Sequence, residues 1–94
     1  MATSIDFLEY VLDLLKELDD ITYKRMMGEV LLYYKAKLFG GIYDNRFLVK
    51  KHQILSKYNL KEEIPYLNAK PMYLIDTEDK NAIKDIVTSL VEYL

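Results

Sequence analysis

Between Arg25 and Lys50 the chain reads as short β-rich runs cut by tight-turn signals, and this stretch constrains the fold more than any other. Thr22 to Met27 alternates in character, and Gly28 supplies a turn or a bulge. Val30-Leu31-Leu32-Tyr33-Tyr34 is rich in strand formers and predicts a central strand. Lys35-Ala36-Lys37 is a polar break that reads as a hairpin turn, and Leu38 to Tyr43 predicts the next strand. Gly40-Gly41 lies inside that strand, where glycine marks a bulge or the close approach of another backbone. Asp44-Asn45 is a two-residue connection, because both residue types tolerate the left-handed backbone of a type I′ turn. Arg46 to Lys50 then returns as a strand, with Arg46, Leu48 and Lys50 on one face and Phe47 and Val49 on the other.

The flanks carry a different period. Leu8, Val11, Leu12, Leu15 and Leu18 recur at steps of three and four, which predicts a helix over 4–18 with Ser4 as its N-cap. Lys51 to Tyr58 predicts a short helix that Asn59 closes in the left-handed conformation. Lys61 to Lys70 reads as a loop, and Met72 to Ile75 as a short strand after Pro71. Asp76 or Thr77 is expected to cap a last helix whose stripe is Ala82, Ile83, Ile86, Val87, Leu90, Val91 and Leu94. The resulting order is α-β-β-β-β-α-β-α. Sequential strands with tight turns imply a single antiparallel sheet of about four to five strands, and the segregated helices place the fold in the α+β class. Ninety-four residues make one domain.

Several function classes are excluded by what the chain lacks. With no cysteine there are no disulfides, thiol nucleophiles or zinc–thiolate sites. Residues 1–13 carry acids where a signal peptide needs a basic start, and the longest uncharged apolar run is five residues against the ~20 of a bilayer span. A cytoplasmic protein with no membrane contact is the expectation. The charge is uneven: residues 1–20 carry −5, residues 21–61 carry +7, and residues 62–94 carry −4.

No catalytic constellation emerges. His52, the one histidine, stands between Lys51 and Gln53 with no carboxylate nearby to orient it, so it reads as a surface histidine. Asp19-Asp20 and Glu62-Glu63 are adjacent pairs whose side chains diverge, and they read as solvated turns. Asp76, Glu78 and Asp79 have the carboxylate count for a divalent cation, but acids are expected there simply to cap a helix. Gly40-Gly41 lacks the further glycines, lysine and hydroxyl of a phosphate loop. Nine tyrosines are many, with Tyr33, Tyr34, Tyr43, Tyr66 and Tyr73 clustered around the predicted sheet. They suit half-buried strand faces better than a base-stacking platform, since no RNP-like spacing is present.

Arg25-Met26-Met27-Gly28, Phe39-Gly40-Gly41-Ile42-Tyr43-Asp44, Arg46-Phe47-Leu48-Val49-Lys50 and Ala69-Lys70-Pro71-Met72 occur in one order along the chain. Together they resemble the N-terminal domain of the TfoX/Sxy competence-regulator family. The resemblance covers essentially the whole chain. It implies an α+β fold with one antiparallel sheet, related to secretion-chaperone-like domains. Full-length TfoX/Sxy proteins regulate DNA-uptake genes and carry a second, C-terminal domain; the expectation here is a stand-alone N-terminal domain, because the sequence stops at Leu94 with its last helix.

The function expected is a non-enzymatic regulatory or adaptor domain that acts through protein–protein contacts in transcription regulation. Its partner is another protein, and a homodimer is compatible with the modest core. Arg25, Arg46 and Lys70 are the expected partner contacts: the two arginines from the basic strands, and Lys70 from the loop that matches the family. The alternative is direct DNA or RNA binding by the basic strands, and internal pairing with the acidic helices competes with it. A small-ligand-binding domain is a second alternative. No cofactor and no metal are expected.

Overall fold

The computed structural model describes residues 3–94. The elements are α1 (Ile5–Leu14), β1 (Ile21–Met26), β2 (Glu29–Tyr34), β3 (Lys37–Ile42), β4 (Phe47–Val49), a 3-10 helix (Gln53–Tyr58), β5 (Glu62–Glu63), β6 (Met72–Leu74) and α2 (Lys80–Val91). Six strands form one sheet in the order β1-β2-β3-β4-β6-β5, antiparallel throughout. The fold is α+β, as expected. The sheet gains a strand over the expectation because Glu62–Glu63, read as a solvated turn, pairs with β6.

Three consecutive hairpins build the first four strands, and each has a two-residue loop with positive φ at both positions. These are Met27-Gly28 (φ 52° and 85°), Lys35-Ala36 (51° and 66°) and Asp44-Asn45 (53° and 58°). Such loops match the right-handed twist of the strands they join. Asp44-Asn45 follows the sequence expectation; Lys35-Ala36 imposes the same backbone on residues that gain nothing from it. The N-terminal segment ties two of the turns together. Thr3 N–H donates to Gly28 O at 2.7 Å, and Ser4 N–H donates to Asn45 Oδ1 at 2.9 Å.

One sheet face carries the core. Residues paired directly across strands share a face, so Val30, Ile42 and Phe47 lie together, as do Leu32, Gly40 and Val49. Both helices pack there. Leu8, Val11 and Leu14 of α1 are buried, and so are Ile83, Ile86, Val87, Leu90 and Val91 of α2. Burying each such side chain stabilises the fold by roughly 1.5–3 kcal/mol. Ser4 caps α1 by accepting from Phe7 N–H at 3.1 Å. The helix ends sooner than expected, at Leu14, yet Leu15 and Leu18 stay buried in the turn that follows. Asp79, rather than Asp76 or Thr77, caps α2, accepting from Asn81 N–H and Ala82 N–H. Thr77 Oγ1 accepts from Asp79 N–H one step earlier.

The glycine pair answers to close approach. A Cβ on Gly40 would stand 2.3 Å from Leu48 O, and one on Gly41 would stand 2.5 Å from Val30 O and 2.9 Å from the Tyr43 ring. The bulge lies beside the pair: Leu32 pairs with Gly40 and Tyr33 with Leu38, leaving the fully buried Phe39 as the extra residue.

Two substitutions with opposite signs test this account by chemical denaturation. Gly41→Ala is expected to destabilise the protein by about 1–3 kcal/mol, since the added methyl meets a backbone oxygen and a seated ring. Ala36→Gly is expected to stabilise it by about 0.5–1 kcal/mol, because it relieves a left-handed alanine while giving back part of the gain as chain entropy.

Candidate functional site

The face away from the helices carries Leu31, Gly41, Leu48 and Leu74 in line across β2, β3, β4 and β6. Leu48 and Tyr43 are buried but stand outside the helix-side core cluster. The Tyr43 ring folds back over Gly41, and Tyr66 of the 64–70 segment stands against that ring. Burial first, then Glu29 and Tyr66, raises the Tyr43 phenol above its ordinary pKa.

Arg46 holds that segment in place. Its Nε donates to Tyr43 O at 3.2 Å; Nη1 donates to Glu63 Oε1 at 2.8 Å and Ile64 O at 3.2 Å; Nη2 donates to Pro65 O at 3.0 Å. A planar fork of fixed donors suits this arrangement, in which one carboxylate and three carbonyls converge. The hydrogen bond from Arg46 holds the Glu63 carboxyl below its ordinary value of 4.5, helped by the charges of Arg46 and Lys61. Pro65 is buried, and Tyr66 meets Tyr43 with ring centroids 6.1 Å apart.

A cleft of about 750 Å³ opens between this segment and the chain leaving β4. Tyr43, Tyr66, Pro65 and Met72 give it an apolar lining, Lys50, Lys51 and Lys70 bring positive charge, and no acid lines it. Lys51 pairs with Glu62 at 3.1 Å, whereas Lys50 and Lys70 have no ion-pair partner among the described residues. A smaller cleft of about 240 Å³ adjoins it, sharing Tyr43 and Tyr66 and adding Met26, Met27, Leu31 and the acid Glu29. Met27 and Leu67 are among the most exposed apolar side chains, at 100% and 88%.

His52 is engaged rather than free on the surface. Its Nδ1 accepts from Ile54 N–H at 3.0 Å, which caps the 3-10 helix, and its ring stacks on Tyr93 with centroids 5.1 Å apart. Accepting at Nδ1 leaves Nε2 as the protonated nitrogen of the neutral ring. Asn59 closes the 3-10 helix with φ 53°, as expected. Among the described residues no group of three or more histidine and acidic side chains is placed to hold a metal ion. No helix of the described chain is long and apolar enough to cross a membrane.

The structure separates the residues expected to form a partner surface. Lys70 lines the larger cleft. Arg25 is exposed on β1 opposite Val30, and so belongs to the helix-side face at the sheet edge. Arg46 is half-buried, with four of its five N–H donors committed inside the chain. The basic centre does pair internally, but with Glu62 and Glu63 of β5 rather than with the acidic helices. Sequence reasoning missed the Tyr43–Tyr66 contact and Lys50 as a cleft residue. The tyrosine cluster was the available signal; nothing local shows that the 64–70 segment folds back. The chain matches no protein-family model, and no curated protein matches it with significance.

The clamp gives a pH-dependent prediction. A carboxyl whose folded pKa is depressed contributes stability that is present above its unfolded value and lost as pH falls through the folded one. Glu63→Gln is therefore expected to lower stability at neutral pH and to flatten its decline in acid below about pH 4.5. Arg46→Ala is expected to cost about 1–3 kcal/mol through carbonyls left unpaired, with loss of Tyr43–Tyr66 proximity in NMR spectra.

Proposed function

We propose that this protein is a non-enzymatic adaptor domain, TfoX-like, that acts in transcription regulation by docking an acidic protein segment on the outer sheet face. One observation carries the proposal. Two clefts share Tyr43 and Tyr66, and the larger one has Lys50 and Lys70, which have no ion-pair partner among the described residues, and no acid in its lining. The exposed apolar side chains Met26 and Met27 line the smaller cleft on the same surface. An apolar patch rimmed by charge favours a partner with bulky apolar residues and carboxylates. Nothing in the lining pairs a nucleophile with a base, which supports binding without turnover.

A second reading draws on a different placement. Lys24 pairs with Leu31 and so lies on the outer face with Tyr33, the same face as the clefts. Lysines and tyrosines on one open sheet face are also what a single-stranded nucleic acid contacts. Glu29 on that face opposes any anion at the smaller cleft, whether phosphate or carboxylate, so the acidic groups of a docked segment belong at Lys50 and Lys70 in the larger one.

Fluorescence anisotropy decides between the two. The probes are a labelled peptide of alternating glutamate and leucine with one tyrosine, a DNA duplex and single-stranded DNA, each at about 50 and about 200 mM salt. The peptide is expected to bind, and Lys50→Glu with Lys70→Glu to weaken it by about tenfold or more. DNA binding that falls steeply with salt and is lost on Lys24→Glu would transfer the function to nucleic acid. Failure of all three probes would overturn both.

A further inference from the structure

We infer that the free edge of β1 pairs antiparallel with β1 of a second copy, joining two sheets into one. β1 is the terminal strand of the sheet, and Thr22 to Met26 are exposed on both faces. Neither the helices nor a loop covers them. The strand is regular and contains no proline, and its register with β2 runs unbroken from Ile21↔Tyr34 to Met26↔Glu29. Most long edge strands are shortened, bulged or covered; this one is none of these.

The register shows which backbone groups are free. A two-residue hairpin makes Met26 and Glu29 a hydrogen-bonded pair, and antiparallel alternation then gives the same status to Lys24 with Leu31 and Thr22 with Tyr33. The bond from Lys35 N–H to Asp20 O at 3.0 Å continues that alternation. Ile21, Tyr23 and Arg25 therefore turn their N–H and C=O groups outward.

Edge lysine and arginine normally discourage pairing, but the self-paired register sets no cation directly opposite another. A two-fold axis at Tyr23 sets the two Tyr23 residues opposite each other, Ile21 opposite Arg25, and Thr22 opposite Lys24. Every outward backbone group then meets an outward partner, and no like charges stand directly opposite. The same register places each Lys24 diagonal both to Asp20 of the other copy and to the other Lys24, on one sheet face, so that the two Asp20 carboxylates offset the two ammonium groups near the axis. Neither Asp20 nor Lys24 has an ion-pair partner among the described residues. The contact is isologous and closes on itself. The other sheet edge, β5, is two residues long and tied down by Lys51–Glu62, so the sheet does not extend further.

Sedimentation equilibrium from low to high micromolar concentration tests the inference. The wild-type protein is expected to move from its monomer mass of 11.1 kDa toward twice that value. Tyr23→Pro removes an outward N–H without touching the β1–β2 ladder, and Tyr23→Glu sets two carboxylates at the axis. Both are expected to remain monomeric with unchanged circular dichroism; should the proline variant fail to fold, the glutamate variant carries the test. The chain has no native cysteine, so Thr22→Cys combined with Lys24→Cys gives a clean cross-link. Oxidation is expected to yield a covalent dimer, whereas Lys57→Cys on the 3-10 helix yields none. A wild-type monomer at every concentration, a dimer that the Tyr23 variants leave intact, or no selective cross-link would overturn the proposal.

Discussion

The guanidinium of Arg46 donates to oxygens from two stretches of chain: Tyr43 just after β3, and Glu63 of β5 with Ile64 and Pro65 that follow it. The outer face depends on this junction. Through it Glu63, Ile64 and Pro65 are bound to the chain that joins β3 to β4, and Tyr66, next in sequence, meets Tyr43. The choice of arginine follows from the geometry. Converging acceptors in a partly desolvated place suit a fixed fork, whereas a single ammonium on a flexible stem would leave some of them unpaired. Glu63 serves the same junction twice, through its side chain to Arg46 and through its place in β5 beside Met72.

The glycines make the junction possible from beneath. Gly41 leaves the space that the Tyr43 ring fills, and Gly40 lets β4 approach β3 until Leu48 O would meet a methyl. The bulge at Phe39 lets that residue enter the core beside these glycines. The three hairpins then set the strand directions with little freedom, since each loop has only two residues. Backbone constraints thus place Tyr43, and Tyr43 with Arg46 places the cleft.

Local chemistry made much of the fold legible from sequence. Ser4 caps α1, Asp44-Asn45 makes its type I′ turn, Asn59 closes the 3-10 helix, and the α2 stripe from Ile83 to Val91 is the buried one. The misses have different causes. Asp76, Thr77 and Asp79 can all cap a helix, and tertiary packing chose Asp79 while using Thr77 to support it. Glu62-Glu63 has poor strand propensity, yet it pairs with β6 because Arg46, Lys51 and Lys61 neutralise it. The candidate site was less legible still. Arg46 looks like any other strand cation until the segment 17 to 19 residues downstream is brought to it, and sequence spacing carries no record of that return.

The division of the sheet into two faces decides how the cations sort. The helix side is closed by apolar packing except at β1, where the helices do not reach and Tyr23 and Arg25 stay open to solvent. On the outer side Arg46 draws Ile64 and Pro65 toward the β3–β4 turn, and the cleft with Lys50 and Lys70 opens beside them. Arg25 and Lys70 therefore serve different surfaces, although they look alike in sequence. A single planar nucleic acid contact using both is disfavoured, because the sheet itself stands between them. Pairing at the β1 edge uses backbone groups in the plane of the sheet, whereas docking at the cleft uses side chains above it. The two contacts are orthogonal in direction, so self-association and capture of an acidic segment are compatible in one molecule.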